Sequence, residues 1–294
     1  MCRLFGLHAG VHAIDATFWL IEAPDSLSVQ SYRNPDGAGI GVFGEDGTAT
    51  VDKQPLAAWQ DREFTSAAHN LSGTTFVAHV RHASIGAHIV ANTHPFVEGG
   101  RLFAHNGVVQ GLSRLESRLA ELDATGYVHG ETDSQRVFAL ITAEIGRLGG
   151  DVSEGLTVAI DWITENLPVY ALNVVLTTST DLWALRYPAT HELYVLVRPA
   201  GGTDADRHLD LRGSRLAARS HHLARRPSVV VASERMDNDA GWRLLDPGEL
   251  LHVNSGLTVT TSAPFRVEPR HLIQRSELDP VAAASQHPDI PGQS

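Results

Sequence analysis

The sequence predicts an α+β fold in which strands and helices form separate layers, and two observations support this class. Short runs rich in β-branched and aromatic residues recur along the chain, and many of them end in turn residues. These runs come in groups separated by segments with helical periodicity, so strands are followed by helices and then by strands again. That order favours a layered α+β sandwich over a regular parallel βαβ arrangement.

The strands are predicted from their apolar runs and the helices from leucine and isoleucine spacing. Apolar residues at intervals of three and four predict helices over 112–122, 134–148 and 153–167. The predicted strands cover residues 39–43, 74–80, 102–109, 170–178, 181–187, 192–199, 228–234 and 249–255.

Two segments have neither pattern. Residues 200–227 are polar and rich in arginine, which predicts a long excursion over the surface. Residues 271–294 contain several prolines and few large apolar side chains, so we expect a disordered tail there. The remaining chain, residues 1–270, is expected to form one domain.

The composition excludes several classes of function. The net charge of −11 disfavours non-specific binding to nucleic acid, and no apolar run is long enough to span a bilayer. Arg3, His8 and His12 interrupt the first apolar residues, so no signal peptide is predicted. We therefore expect a cytoplasmic protein with a small-molecule substrate, with no nucleic-acid or membrane partner and no cofactor.

The single cysteine, Cys2, follows the initiator methionine. One cysteine can form neither an internal disulfide nor a zinc site built from cysteines. Removal of Met1 would leave a residue that carries both a thiol and a free α-amine, and the amine could take the proton of the thiol. The alternative is that Cys2 is a small buried side chain at the start of a strand.

Three polar segments could complete a site around such a nucleophile. Arg81 lies near the end of a predicted strand and could bind a carboxylate, although a surface ion pair would also explain it. Asn106 and Gly107 offer an amide donor and a backbone N–H that could hold an oxyanion, but Asn-Gly is also a hairpin-turn signal. Asp133 stands where a helix begins, in a segment that a capping box between Thr132 and Gln135 would also explain.

The combination and order of these residues resemble the class II glutamine amidotransferases. The segments NPDGAGIGVF at 34–43 and NTHPF at 92–96 match the same family. The resemblance covers the first half of the chain closely and most of the rest loosely. It implies the fold of N-terminal-nucleophile hydrolases, a four-layer αββα sandwich.

The resemblance also implies roles for the candidate residues. Cys2 would attack a γ-glutamyl carboxamide and form a thioester, with its own α-amine as base, while Asn106 and Gly107 hold the oxyanion. Arg81 would bind the α-carboxylate of the substrate and Asp133 its α-ammonium. The hydroxyl of Ser84 would serve the same end of the substrate.

Several alternatives stay open at this point. The best-known members of the family fuse the glutaminase to a synthase, and no second domain is expected here. Either a separate synthase receives the ammonia, or the enzyme simply hydrolyses a γ-glutamyl conjugate, as do the γ-glutamyl hydrolases of ergothioneine biosynthesis that the chain also resembles. A catalytically silent subunit that regulates a synthase or guides ammonia is a further hypothesis. An acylase is disfavoured because its substrate would not need Arg81 and Asp133.

The sixteen histidines raise the question of a metal site. His79 and His82 are three residues apart on a predicted strand and would therefore point to opposite faces. No His-Glu-x-x-His pattern is present. We expect no metal, and we expect His94 and His105 to support the site as buried residues.

Overall fold

The structure is a computed structural model that describes residues 1–83, 86–200 and 226–286. Ser84 lies outside the described residues, as does nearly all of the excursion predicted over 200–227. The described residues contain these strands: β1 Arg3–His8, β2 Ile14–Asp15, β3 Ala38–Phe43, β4 Ala49–Gln54, β5 Ser72–Gly73, β6 Thr75–Val80, β7 Phe96–Glu98, β8 Arg101–Val109, β9 Val169–Thr177, β10 Leu182–Arg186, β11 Tyr194–Arg198, β12 Ser228–Ala232, β13 Arg243–Leu244, β14 Glu249–Val253 and β15 Val259–Ser262.

The described residues contain fewer helices than strands, and the three longest helices lie in the middle of the chain. The helices are α1 Leu27–Gln30, α2 Arg62–Asn70, α3 Leu112–Glu121, α4 Asp133–Arg147, α5 Val152–Asn166 and α6 Pro280–Gln286. Short 3-10 turns cover Val90–Asn92, Thr125–Tyr127 and Arg275–Glu277, and one π-helical turn covers Phe18–Glu22. Among the described residues, none of these helices combines the length and the apolar character needed to cross a bilayer.

Most described strands belong to two antiparallel sheets. The first has the order β13-β11-β12-β1-β6-β3-β4, and the second has the order β15-β14-β10-β9-β8-β7. The predicted strands and the three predicted helices are confirmed, with boundaries that differ by only one or two residues at most ends.

Three large apolar clusters in the described residues define the layers. One cluster joins the first sheet to α1, α2 and the π-helical turn, through side chains such as Phe5, Trp19 and Phe64. A second joins the two sheets to each other, and a third joins the second sheet to α3, α4 and α5. The predicted four-layer αββα sandwich is therefore confirmed, because each sheet buries one face against the other sheet and one face against helices.

The alternation of side chains along the strands determines which groups face the space between the sheets. In β1, Leu4 belongs to the cluster between the sheets, whereas Phe5 packs against the helical layer. Side chains two residues apart share a face, so Cys2 faces the same space as Leu4. Val77 of β6 and Ala104 of β8 also belong to the cluster between the sheets. Arg81 comes four residues after Val77, and Asn106 comes two residues after Ala104, so both face the same space. The two sheets thus bring these three residues to one space.

The hairpin-turn alternative for Asn106 and Gly107 is wrong. Both residues lie inside β8, which continues to Val109 and pairs with β9 along its length. Asn106 is opposite Asn173 in this ladder. The strand continues because the flanking residues are buried, and because a neighbouring strand from a distant part of the chain pairs with it.

Helix α2 and strand β4 are elements that the sequence pattern did not reveal. In α2 only Phe64 and Ala68 are buried, which is too few apolar positions for a clear period. The helix begins at Asp61, whose carboxylate accepts the N–H of Glu63 at 2.8 Å. A polar helix of this kind is stabilised by its cap and by the sheet beneath it.

Residues 271–286 differ from the expectation of a disordered tail. Leu272 forms a parallel bridge with Val169, and Leu278 and Ala282 join a small buried cluster beside β8 and β9. The small side chains of this segment carry no strong hydrophobic period, and their burial depends on contact with the second sheet. Residues 287–294 lie outside the described residues, and the domain boundary at residue 270 stays a prediction.

Candidate active site

A small pocket opens at one end of the space between the sheets. It collects residues from the chain start, the end of β6, the loop before β7, strand β8 and the start of α4. Four of the six candidate residues line it, namely Cys2, Arg81, Gly107 and Asp133. Asn106 is buried next to Gly107, and Ser84 is outside the described residues. The other lining residues are His82, His94, His105, Thr132 and Ser134.

The thiol of Cys2 is held by the backbone of one residue. Its Sγ accepts the N–H of His82 at 3.3 Å and lies 3.4 Å from the carbonyl oxygen of His82, to which the thiol can donate. Burial raises the pKa of the Cys2 thiol, although the nearby amino terminus and Arg81 act in the opposite direction. The proton therefore stays on sulfur at neutral pH, so a base is needed to release the nucleophile.

The amino terminus is the nearest candidate for that base. Burial lowers the pKa of the Met1 amine to about 5, far below the value of about 8 for a free terminus. At neutral pH the amine is thus uncharged and able to accept a proton. This amine belongs to Met1. Removal of Met1 would give Cys2 an α-amine in the same buried segment, where an uncharged amine could take the thiol proton.

The side chain of Asn106 has an unused donor. Asn106 is 2% exposed, and its Nδ2 has no hydrogen-bond partner among the described residues. A buried amide N–H₂ without a partner costs free energy, which a bound acceptor would recover. Nδ2 is therefore available as a donor to an oxyanion that forms in the pocket.

No side chain fits at Gly107. A Cβ atom there would lie 1.8 Å from the carbonyl oxygen of Ala171 and 2.7 Å from Nε2 of His105. Close approach of β8 to β9 and to the ring of His105 therefore requires glycine. Gly107 is partly exposed and lines the pocket.

Asp133 is fixed by backbone donors at the start of α4. Its Oδ2 accepts the N–H of Val109 at 2.9 Å, and its Oδ1 accepts the N–H of Ser134 at 2.8 Å. An ionised carboxylate has about four acceptor positions, so capacity remains for a bound ammonium. The predicted cap is present, since Thr132 Oγ1 accepts the N–H of Gln135 at 3.3 Å.

Arg81 is 4% exposed, and its guanidinium contacts the neighbouring loop. Nη1 and Nη2 each lie 3.4 Å from a backbone oxygen, of Ala87 and Gly86 respectively. A carboxylate would offer this planar cation shorter, charge-assisted bonds. Arg81 and Asp133 thus place one cation and one anion in the same pocket.

Three buried histidines surround the pocket in their neutral form. Burial lowers the pKa of His79 to about 3, and it lowers the pKa values of His94 and His105 as well. His105 bonds to Ser134 Oγ at 2.9 Å, and the rings of His79 and His94 lie 4.2 Å apart. Within the described residues, no group of three or more His, Cys, Asp or Glu side chains is placed to hold a metal ion.

Two supporting contacts were not anticipated from the sequence. Asp36 Oδ2 accepts the N–H of Ala83 at 2.8 Å, which ties the NPDG turn to the segment that holds the thiol. Asn92 accepts the N–H of Glu131 at 2.8 Å and donates to its carboxylate, which ties the NTHPF segment to the start of α4. Both residues belong to motifs that the sequence singled out, but their partners are distant in the chain.

Comparison with known proteins gives one clear family. A family model described as class II glutamine amidotransferases matches residues 1–276. The γ-glutamyl-hercynylcysteine sulfoxide hydrolase of Mycolicibacterium smegmatis is 29% identical over 253 residues, which cover 82% of this chain and 92% of that protein. The enzyme of the same name from Mycobacterium tuberculosis is 28% identical over 272 residues, which cover 88% and 96%.

Solved structures support the fold. The glutamine phosphoribosylpyrophosphate amidotransferase of B. subtilis aligns with a TM-score of 0.61 at 18% identity, over 92% of this chain and 50% of that chain. At this identity the likeness concerns the fold alone, and it agrees with the layered sandwich described above.

Proposed function

Since this chain belongs to the class II glutamine amidotransferases, we propose that it cleaves γ-glutamyl amide bonds with Cys2 as the nucleophile. The family makes the chain an amidohydrolase of γ-glutamyl carboxamides. One observation carries the assignment of residues: the thiol, the guanidinium of Arg81 and the carboxylate of Asp133 line one pocket. Asn106 is buried next to Gly107 of this pocket, and its Nδ2 has no hydrogen-bond partner among the described residues.

The reaction begins once Met1 has been removed and Cys2 carries the α-amine. The amine takes the thiol proton, Sγ attacks the γ-carbonyl carbon, and the carbonyl π electrons move to oxygen. Nδ2 of Asn106 and the N–H of Gly107 stabilise this oxyanion. The ammonium then gives its proton to the leaving amine as the C–N bond breaks. A γ-glutamyl thioester remains, and water hydrolyses it to glutamate and the free thiol.

The two charged side chains select the amino-acid end of the substrate. Arg81 binds the α-carboxylate and Asp133 binds the α-ammonium. The γ-carbonyl then lies one glutamyl side chain away from these two contacts. Ser84 is proposed to add a hydroxyl to the same subsite. Substrates without this zwitterion would lose both contacts, so simple acyl amides are expected to be poor substrates.

A γ-glutamyl conjugate is the substrate class that we favour over free glutamine. The two hydrolases named above align over most of both chains, and their names describe a γ-glutamyl conjugate. A separate synthase that accepts ammonia, and a cytoplasmic location, stay predictions. Hydrolysis alone would require neither the synthase nor an ammonia tunnel.

A substrate panel tests this function. We expect the purified protein to release glutamate from γ-glutamyl thiol, peptide or amine conjugates with kcat/KM at least about tenfold above that for free glutamine, a preference worth about 1.4 kcal/mol. The matched control is the β-aspartyl analogue, which keeps the zwitterion but is one methylene shorter. An enzyme that released no glutamate from any γ-glutamyl compound, or that hydrolysed simple acyl amides equally well, would contradict the proposal.

The pH dependence follows from the amine. The reactive form is the uncharged amine, so kcat/KM is expected to rise with pH through the amine pKa and then level off. Burial lowers the pKa of the Met1 amine, and the α-amine of Cys2 would lie one residue further along the same buried segment. We therefore expect the midpoint to lie below pH 8. The measurement is the pH–rate profile of protein whose intact mass shows loss of Met1. A midpoint at or above pH 8 would argue against a buried amine as base.

A further inference from the structure

Arg3 is a buried cation directly after the proposed nucleophile, and the reaction described above does not use it. It is 4% exposed and shares the face of β1 that carries Phe5, so its side chain points away from the space between the sheets. Its Nη1 donates to the carbonyl oxygen of Met1 at 2.7 Å and reaches that of Cys2 at 3.4 Å. The guanidinium thus binds the first two peptide units of the chain.

An ion-pair network holds this guanidinium in place. Nη2 of Arg3 pairs with Glu234, and Glu234 also accepts from Arg33 at 3.2 Å. Glu234 follows Ser233, whose hydroxyl accepts the N–H of Leu4 at 2.9 Å and whose own N–H donates to Leu4 at 3.1 Å. The cation is therefore fixed relative to β1 by both its charge partner and the neighbouring strand end.

Removal of Met1 changes what Arg3 faces. The carbonyl oxygen that Nη1 binds is lost with Met1, and that oxygen is only two covalent bonds from the nitrogen of Cys2. Standard bond lengths therefore place Nη1 within about 5 Å of the new α-amine. A fixed cation at that distance disfavours a second positive charge.

We propose that Arg3 is a positioning residue of the reaction, which anchors the chain start and, after Met1 is removed, keeps the α-amine of Cys2 uncharged. The inference rests on the proposed function, because it gives that amine the role of base. Arg3 need not touch the substrate. It would act through the amine, and its effect should appear mainly where the amine titrates.

Several charges face the terminal amine, and their signs define the test. At the Met1 amine, Arg3 and Arg33 lower the pKa, whereas Glu234 and the thiol of Cys2 raise it, in addition to the larger effect of burial. The α-amine of Cys2 would lie one residue away, so we expect each of these charges to act on it with the same sign. The ring of His82 also faces the amine, from the segment after β6. Removing Arg3 and removing Glu234 should therefore shift the titration in opposite directions.

The experiment compares pH–rate profiles of the full-length protein and its variants with the same γ-glutamyl substrate. Arg3→Gln is expected to move the acid limb of kcat/KM upward by about one pH unit, which is a tenfold loss on that limb. The plateau rate should change far less. Arg3→Lys, which keeps the charge, should restore most of the acid limb, and Glu234→Gln should move it to lower pH.

Two controls separate this role from a structural one. Arg33→Gln removes a positive charge from the far side of Glu234 and should shift the limb less than Arg3→Gln does. The shifts of the acid limb should persist when His82 is also replaced by Gln. Persistence would show that the titrating group is the amine and not the His82 ring. Intact mass confirms Met1 removal in every variant, and labelling of Cys2 counts the active sites.

The outcomes are distinct. Opposite shifts for Arg3→Gln and Glu234→Gln support the inference. An active wild type whose acid limb is unchanged in Arg3→Gln, or shifts the same way in both variants, overturns it and leaves the proposed function intact. Loss of the shifts in the His82→Gln background also overturns it. In the Arg3–Glu234 pair the Glu234 side chain is the partly exposed one, so Glu234→Gln is expected to fold. The test therefore does not depend on whether Arg3→Gln folds.

Discussion

Replacing Cys2 with alanine is expected to lower γ-glutamyl hydrolysis by about 10⁴-fold or more, because no thioester can form without sulfur. Alanine is also small, so Met1 should still be removed and the α-amine should still be present. Among the described residues, the hydrogen bonds that this substitution removes are the long contacts between Sγ and the backbone of His82. The melting temperature should therefore change little. The measurement is glutamate release per mole of protein, together with a melting curve.

Two further measurements make the Cys2 result specific. Cys2→Ser keeps a hydroxyl nucleophile and should retain a trace of activity above that of Cys2→Ala. Wild-type protein should form a covalent adduct at Cys2 with a glutamine-like chloroketone, and neither substitution should do so. Hydrolysis by Cys2→Ala at the wild-type rate would show that another group attacks the substrate. An unlabelled wild-type cysteine with tight binding of a partner protein would instead favour the silent regulatory subunit.

Replacing Asn106 with alanine is expected to lower kcat by about 10²–10³-fold with little change in KM. The amide would act on an oxyanion that exists only in the transition state, so ground-state binding should be unaffected. The variant also removes a buried donor that has no partner among the described residues. That gain offsets part of the cost of the cavity, so the melting temperature should fall only slightly.

Asn173 provides the matched control, because it lies directly opposite Asn106 across β8 and β9. Its Nδ2 donates to the carbonyl oxygens of Glu192 and His191 at 3.1 and 3.3 Å, and its Oδ1 accepts the N–H of Tyr187 at 3.0 Å. Asn173→Ala leaves these buried groups unpaired, at about 1–3 kcal/mol each.

The order of the two variants by loss of stability should thus be the reverse of their order by loss of kcat. Asn173→Ala should lose more stability than Asn106→Ala, and Asn106→Ala should lose more kcat. If Asn106→Ala kept the wild-type kcat, its amide would have no part in stabilising the oxyanion. Equal loss of kcat in both variants would indicate that a disturbed β8–β9 pair, rather than a missing donor, explains the result.

The elements with strong local patterns were predicted closely. Helix α4 buries Val137, Ile141 and Ile145 on one face and begins at the cap that Thr132 forms. Strands β8 and β9 were visible as apolar runs. Periodicity, capping and apolar composition act over a few residues, so they can be read without knowledge of the fold.

The wrong or missing predictions have a common cause, which is dependence on distant partners. Asn106 and Gly107 carry the local signal of a turn, yet pairing with β9 keeps them inside a strand. The segment that ends in α6 has weak local preferences and is ordered by contact with β8 and β9. Such contacts outweigh local propensity, because they bury apolar surface and pair backbone groups at once.

By itself, the sequence predicted the fold class and the main helices and strands, and its resemblance to the class II glutamine amidotransferases supplied a short list of candidate residues for γ-glutamyl chemistry. Those features follow from residue type, spacing and order along the chain. Only the tertiary structure decided that Cys2, Arg81 and Asp133 share one pocket, and that Nδ2 of Asn106 lacks a partner within the part of the chain that the structure describes. It also placed Arg3 against Met1 and Glu234. The physical reason is that strand pairing and the stacking of two sheets set the distances between residues far apart in sequence, and charge and hydrogen bonding act over those distances.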